Sequence, residues 1–301
     1  MFIKSGYPRL AKYSQKLAAY LALVRPLTLV APLVVGLFGV GAVSLHYHMS
    51  LDFTKMMLVS TSLMLLQAYA QVTNQIADID ADRVNKPYRP LPSGKISVNE
   101  AWQFSGILLV TGLLLAATQG YCFLVLCLAM LFFSLTYSFY PFRIKRYLWI
   151  NLVWLAFGRG FFPLLACWST VADINEEALA LATHLFLYVF ALQSTKDFQD
   201  VVGDLADNVK TLPNTYGVRK ACRYMALLIA ADFYVLCGFI LAKILSAKYL
   251  LLAIADVVGV ACVDLTEREA VFENNLGWVL YYIGLGLNYI LLFTAEILDG
   301  V

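Results

Sequence analysis

Apolar runs of membrane-spanning length recur along this chain, and they decide which solvent it folds in. A helix crossing the hydrocarbon core needs about 20 mostly apolar residues. Such runs fall near residues 17–43, 56–80, 99–119, 121–141, 148–170, 178–197, 220–242, 247–264 and 275–298. Lipid offers backbone groups no hydrogen-bond partner, so apolar spans of this length must be helices. Charged residues are only 14% of the chain, whereas soluble domains carry about 25%. A soluble fold would have to hide every one of these runs. The sequence therefore reads as an all-α polytopic membrane protein of about nine transmembrane helices. The third and fourth spans are separated only by "TQGY", which predicts a tight helical hairpin. Pro26 and Pro32 are expected to kink the first helix, and Pro163 the fifth.

Lysine and arginine set the orientation. With the N-terminus inside, the inner loops hold most of the basic residues, and the outer side holds only Lys55, Lys243 and Lys248. Positive-inside reasoning then places the N-terminus and the polar inner loops in the cytoplasm. No transit-like leader precedes the first span, which favours a prokaryotic plasma membrane. The net charge of +2 says little about partners; no nucleic-acid partner is expected, and no required protein partner is evident. Cys122, Cys127, Cys167, Cys222, Cys237 and Cys262 form no CxxC pair and read as small apolar residues.

Against this background one inner segment stands out. "NQIADIDADRVNKPYRPLPSG", residues 74–94, puts charge directly after a greasy run. Asn74, Asp78 and Asp82 are spaced i, i+4, i+8, so on a helix they stack along one face, with Asp80 pointing elsewhere. A second set, Asp197, Asp200, Asp204 and Asp207 in "STKDFQDVVGDLADN", also shares a face if the helix survives Gly203. The two loops echo one another through Leu-Pro to Gly94 and Gly217. That echo suggests a single domain, 1–301, of pseudo-repeat halves 17–141 and 148–264 plus a ninth helix, 275–298.

Several carboxylates gathered at one site repel one another unless a cation joins them. Mg²⁺ binds such oxygens together with substrate phosphates. Lys86, Arg89 and Lys196 would be misplaced beside a bare cation, but they suit a metal-bound diphosphate. The plainer alternative is that these charges only solvate two helix ends; two aligned acidic faces, each followed by a basic loop, argue against it. "TYSFYPFRIKRY" adds Tyr137, Arg143, Lys145 and Arg146 at the inner end of the fourth helix, where an aromatic belt with basic anchors is the ordinary reading. Arg159 in "FGRGFF" lies deeper, within the fifth span, and needs a partner, either a carboxylate or a substrate phosphate. His46 and His48 read as solvated residues of an outer loop.

Asn74-x3-Asp78-x3-Asp82 resembles the first aspartate-rich motif of the UbiA superfamily of intramembrane polyprenyltransferases. "KDFQDVVGD" resembles the second motif, and "YSFYPFRIKR" the segment between them. Gln75 departs from the Asn-Asp start common in the family; it lies off the shared face, so little effect on metal binding is expected. The resemblance implies nine helices around a central cavity open to the bilayer. It implies Mg²⁺ as cofactor, held by Asn74, Asp78 and Asp82 on one side and by Asp197, Asp200 and Asp204 on the other. Asn74, Lys86, Arg89, Lys145, Lys196 and Arg143 would contact the diphosphate of a polyprenyl donor. Asp78, Asp82, Asp200, Asp204, Lys145 and Tyr137 would carry the catalysis, Tyr137 through its ring face beside developing positive charge. The partners implied are a polyprenyl diphosphate, a lipophilic acceptor and membrane lipids. "NKPYRPLPSG" resembles the members that make archaeal ether lipids or chlorophyll, and "FGRGFF" resembles the homogentisate branch, which leaves geranylgeranylglyceryl phosphate and an aromatic quinone precursor both open as acceptors. A secondary transporter with buried carboxylates and a membrane terpene cyclase are the competing readings.

Overall fold

The computed structural model describes residues 8–270 and 276–300; Lys4 of the basic N-terminal segment lies outside them. All regular structure among the described residues is helical. In order the helices are α1 (Pro8–Val24), α2 (Val30–His46), α3 (Phe53–Ala77), α4 (Ile79–Asn85), α5 (Val98–Thr118), α6 (Tyr121–Ser138), α7 (Leu148–Ala156), α8 (Phe162–Ser169), α9 (Glu176–Leu192), α10 (Val201–Ala206), α11 (Leu212–Tyr216), α12 (Val218–Leu241), α13 (Ala253–Arg268) and α14 (Leu276–Asp299). Among the described residues nine helical stretches are long and apolar enough to span a membrane. Apolar side chains such as Leu114, Leu227 and Val257 stay exposed on their outer faces, as expected where the surroundings are lipid.

The first span runs from Pro26 to His46, not from residue 17. Proline disfavours the α conformation in the residue before it, and Arg25 is left-handed, with φ 55° and ψ 70°. The chain breaks there, and a 3-10 turn, Pro26–Leu29, leads into α2. Pro32 sits in the first turn of α2, where its missing N–H costs nothing. α1 therefore lies outside the spans. It turns Ala19 and Leu23 inward while Leu17 and Leu21 stay exposed, and Lys16 pairs with Glu100 of α5. The hairpin between α5 and α6 is as tight as "TQGY" suggests, turning on Gly120 at φ +123°.

Close helix contacts rest on small residues, the usual device in lipid, where no hydrophobic force separates helix from tail. A Cβ on Gly36 of α2 would lie 2.5 Å from Ser60 Cα of α3. In the fifth span, Phe157–Phe161 is a π-helical turn between α7 and α8, followed by Pro163. The missing proline N–H and the widened turn occur together, so the span bulges around Arg159.

Candidate active site

A cavity of about 280 Å³ opens among the spans. Its polar end is built from the two acidic segments and its wall from apolar side chains including Leu63, Leu66, Met130, Phe133, Trp154 and Leu155. Asn74, Asp78, Asp82, Lys86, Arg89, Tyr137, Lys145, Lys196, Asp197, Asp200 and Asp204 all line it. Arg143 is the sequence-derived candidate that does not line the cavity. It backs the wall, donating to Asp207 at 2.8 Å with Asp78 3.8 Å away.

The first acidic face survives a bend. α3 ends at Ala77, and Asp78 leaves the α-region (φ −104°, ψ 11°) before α4 begins. The backbone bonds nevertheless keep an i to i−4 pattern from Asp78 to Asn74 and from Asp82 to Asp78, which holds the three side chains on one side. Asn74 Nδ2 donates to Asp78 at 3.1 Å and to Ser138 Oγ at 3.1 Å. Gln75 points away, as its spacing requires. It donates to Leu23 O at 2.6 Å and so ties the end of α1 to α3. Asp80 is exposed and, among the described residues, paired only with Arg83.

The second acidic set is not on one regular helix. α9 stops at Leu192, a 3-10 segment Gln193–Phe198 follows, and Asp200 stands immediately before α10. The aspartates still converge, with Ser194 Oγ donating to Asp197 at 2.8 Å.

Each acidic residue that has a cationic neighbour at hydrogen-bond distance takes it from the basic set. Lys145 Nζ is 2.5 Å from Asp78, Arg89 chelates Asp82 at 2.8 and 2.7 Å, and Lys86 reaches Asp200 at 2.6 Å. Asp207, noted on the second face but not among the metal candidates, accepts from both Arg143 and Lys145. Asp204 has no ion pair among the described residues. Burial, reinforced by the charges of Asp197 and Asp200, pushes its carboxyl up to about 8. Burial also raises Asp82, despite Arg89 beside it.

Tyr137 lines the cavity with its hydroxyl engaged. Its hydroxyl accepts from Lys196 at 2.8 Å, with the ammonium 5.2 Å from the ring centre. Arg159 finds no carboxylate; its Nη1 donates to Gln193 Oε1 at 3.1 Å and to Tyr282 Oη at 3.2 Å. Arg25 also lines the cavity, 3.4 Å from Gln71 Oε1. Burial, and then the charge of Arg89, lower its pKa. The sequence reading missed Arg25, although an arginine before proline at the head of a span was a usable signal. It also missed His184, Asp232 and Asp256, ionisable residues inside the sixth, seventh and eighth spans whose ligand atoms lie within 4.8 Å of one another. His46 is not a solvated loop residue. It ends α2, half-buried, 3.2 Å from Glu177 and 3.4 Å from Glu296, whereas His48 is exposed.

The comparisons with known proteins agree with this geometry. The UbiA prenyltransferase family model matches residues 29–280. Among curated proteins, digeranylgeranylglyceryl phosphate synthase of Methanocaldococcus jannaschii is 32% identical over 85% of this chain and 88% of its own. The bacteriochlorophyll synthase 34 kDa chain of Chloroflexus aurantiacus is 24% identical over 93% and 94%. Among solved structures, a digeranylgeranylglyceryl phosphate synthase aligns at 28% identity and a TM-score of 0.65, covering 94% of this chain and 98% of that one. A UbiA homolog from Archaeoglobus fulgidus bound to GPP and Mg²⁺ aligns at 19% and 0.68, covering 92% and 99%, and shows the fold. The chain belongs to the UbiA prenyltransferase family. It is an integral membrane enzyme, a prenyltransferase.

Proposed function

We propose that the cavity moves a polyprenyl group from an allylic diphosphate to a lipophilic acceptor, with Mg²⁺ held between the two acidic segments. The observation that carries this reading is the exchange of partners the site is set up to make. Asp78, Asp82 and Asp200 are neutralised by Lys145, Arg89 and Lys86, the same cations a diphosphate would recruit. Burial raises the Asp204 carboxyl to about 8, so an ion bound there would compete with a proton. The donor set of carboxylates and one amide fits a hard, oxygen-seeking ion such as Mg²⁺. Asn74, Asp78 and Asp82 would hold it on one side, and Asp197, Asp200 and Asp204 on the other. When bound, it supplies positive charge to the diphosphate oxygens.

The residues then divide the work. Once diphosphate binds, Lys86, Arg89 and Lys145 are released from their carboxylates and turn to its oxygens, favouring departure of the leaving group. The allylic C–O bond breaks with its electron pair leaving on the diphosphate, and the acceptor nucleophile captures the carbon. Lys196, held by the Tyr137 hydroxyl, faces the same end. The apolar wall from Leu63 to Trp154 holds the isoprenoid chain and keeps water from the cation. The distribution of basic residues supports a cytoplasmic location for the polar end and the N-terminus.

The reading is tested by diphosphate release from purified protein supplied with prenyl diphosphates of several lengths and a panel of acceptors. Release should require both Mg²⁺ and an acceptor and should vanish in Asp78→Ala and Asp200→Ala. Mg²⁺-dependent release without an acceptor would indicate cyclisation or hydrolysis. No turnover with any pair would remove the proposal.

A further inference from the structure

Three ionisable side chains meet inside the spans, away from the cavity. His184 lies eight residues into the span Glu176–Phe198, Asp232 nine residues from the end of Val218–Leu241, and Asp256 nine residues into Ala247–Arg268. Each is therefore about 12 Å or more along its helix from the nearer end. None of the three lines the cavity. His184 and Asp232 have no exposed surface, and Asp256 has 5%. Charge at such depth is costly and marks a functional group by default. Among the described residues no lysine or arginine pairs with the set; its recorded ion pair is His184 with Asp232 at 2.9 Å.

The set is short of donors. Asn288 Nδ2 donates to Gly284 O at 3.0 Å, which turns Asn288 Oδ1 toward His184 Nε2, 2.9 Å away. An amide oxygen only accepts, so Nε2 carries the hydrogen. His184 Nδ1 then faces Asp232 Oδ1 at 2.9 Å. A neutral imidazole presents a lone pair there to a carboxylate, and something positive must stand between them. Asp232 Oδ2 and both Asp256 oxygens have no hydrogen-bond partner of regular geometry among the described residues. One oxygen of each carboxyl and a His184 nitrogen nevertheless lie within 4.8 Å of one another. One turn further along α9, the Tyr188 hydroxyl is also fully buried and without a hydrogen-bond partner among the described residues, within reach of the charges of Asp256 and Asp232. Buried polar atoms are nearly always paired, so a group of orphans calls for an ion or water.

We infer that His184, Asp232 and Asp256 form a second metal site, which binds a divalent ion of the zinc class inside the bundle and ties α9, α12 and α13 together. One imidazole nitrogen with two carboxylates is a donor set that zinc takes, whereas Mg²⁺ prefers oxygen alone. Neutral imidazole and two carboxylates carry two negative charges, which one divalent ion cancels where two protons would be needed. The contact to Asn288 is the support a ligating histidine needs, its far N–H donated to an oxygen. The role is structural. About 12 Å of helix separates His184 from Leu192, where α9 gives way to the 3-10 segment bearing Asp197. The ion therefore fixes the helix that carries the second acidic segment and takes no part in the clamp itself.

The test uses full-length protein purified in detergent through a tag without histidine, with Asp78 and Asp200 both replaced by alanine so that the clamp contributes little metal. Elemental analysis should find stoichiometric zinc. After stripping with chelator, zinc alone should be taken up to the same level and should raise the melting temperature. Zinc-edge X-ray absorption should show an imidazole among the ligands, and cobalt in place of zinc should give the intense visible bands of a four-coordinate site. Asp256→Asn should abolish uptake, and Asn288→Leu should weaken it by about 10- to 100-fold. His46→Gln, at the end of α2, should leave it unchanged. Protein that neither carries zinc nor takes it up would overturn the inference whatever the variants do, and would assign the set to shared protons. Zinc without an imidazole ligand, or zinc retained in full by the Asp256→Asn protein, would overturn it as well.

Discussion

Lys86 and Asp200 meet at 2.6 Å across 114 residues of chain, and this contact joins the two acidic segments at the mouth of the cavity. Lys86 is only 13% exposed and Asp200 31%, so the pair is partly desolvated and screened less than a surface bridge. In the ion-free protein Lys86 occupies a carboxylate that an ion would need. Lys86→Met is therefore expected to tighten Mg²⁺ binding in the absence of donor, while raising the donor KM by roughly 10- to 100-fold. Titration calorimetry with and without donor separates the two effects. Weakening of both by the same factor would contradict the exchange of partners.

Asp204 gives a pH dependence of definite sign. Its carboxyl is held up near 8 in the ion-free protein, against an ordinary value near 4. Between those two values the folded chain binds a proton that the unfolded chain has lost. The stability this contributes is fully present below about pH 4 and is lost as pH rises through about 8. Mg²⁺ must displace the same proton, so its affinity should climb with pH and level off above about 8. Asp204→Asn should flatten the climb. An affinity for Mg²⁺ that stays constant from pH 6 to pH 8 would show that Asp204 is already ionised.

The buried set His184, Asp232 and Asp256 predicts a stability effect away from the cavity. His184 lies 2.9 Å from Asp232 Oδ1 and 2.9 Å from Asn288 Oδ1, and both His184 and Asp232 have no exposed surface. Asp232 Oδ2 and both Asp256 oxygens have no hydrogen-bond partner of regular geometry among the described residues, and the two carboxyls face each other. Removing one member of a buried pair costs about 3–5 kcal/mol, because the other is left uncompensated. His184→Leu should therefore destabilise the fold by about that amount. His184→Leu combined with Asp232→Leu should be less harmful than the sum of the two single changes. Reversible unfolding in detergent measures it, and strict additivity would count against a coupled pair.

Gly36 tests the packing of α2 on α3. A Cβ there would meet Ser60 backbone atoms at 2.5 and 2.6 Å, and backbone cannot move aside as a side chain can. Gly36→Ala should cost about 1–3 kcal/mol. A neutral melting temperature would mean that the two helices are free to separate.

The parts of this fold that were legible in the sequence are those set by local periodicity. Asn74, Asp78 and Asp82 could be placed together because a spacing of four is short enough to survive the bend at Asp78. The second acidic set converged for a different reason from the one its spacing suggested, since the backbone from Gln193 to Phe198 is 3-10. Arg25 escaped notice because its role depends on a left-handed residue that lets the chain break before Pro26. Asp232 and Asp256 sit on separate spans, and only the packing of α9, α12 and α13 brings them to His184. The partner-sharing of Lys145 between Asp78 and Asp207 was likewise invisible, because it joins three segments distant in sequence.

The most direct measurement is the anomalous scattering of Mn²⁺ in crystals grown with an unreactive prenyl diphosphate analogue. Mn²⁺ should appear between Asp78 and Asp82 on one side and Asp200 and Asp204 on the other, with diphosphate oxygens against Lys86 and Arg89. Manganese confined to one acidic segment, or a diphosphate seated away from both, would contradict a shared clamp.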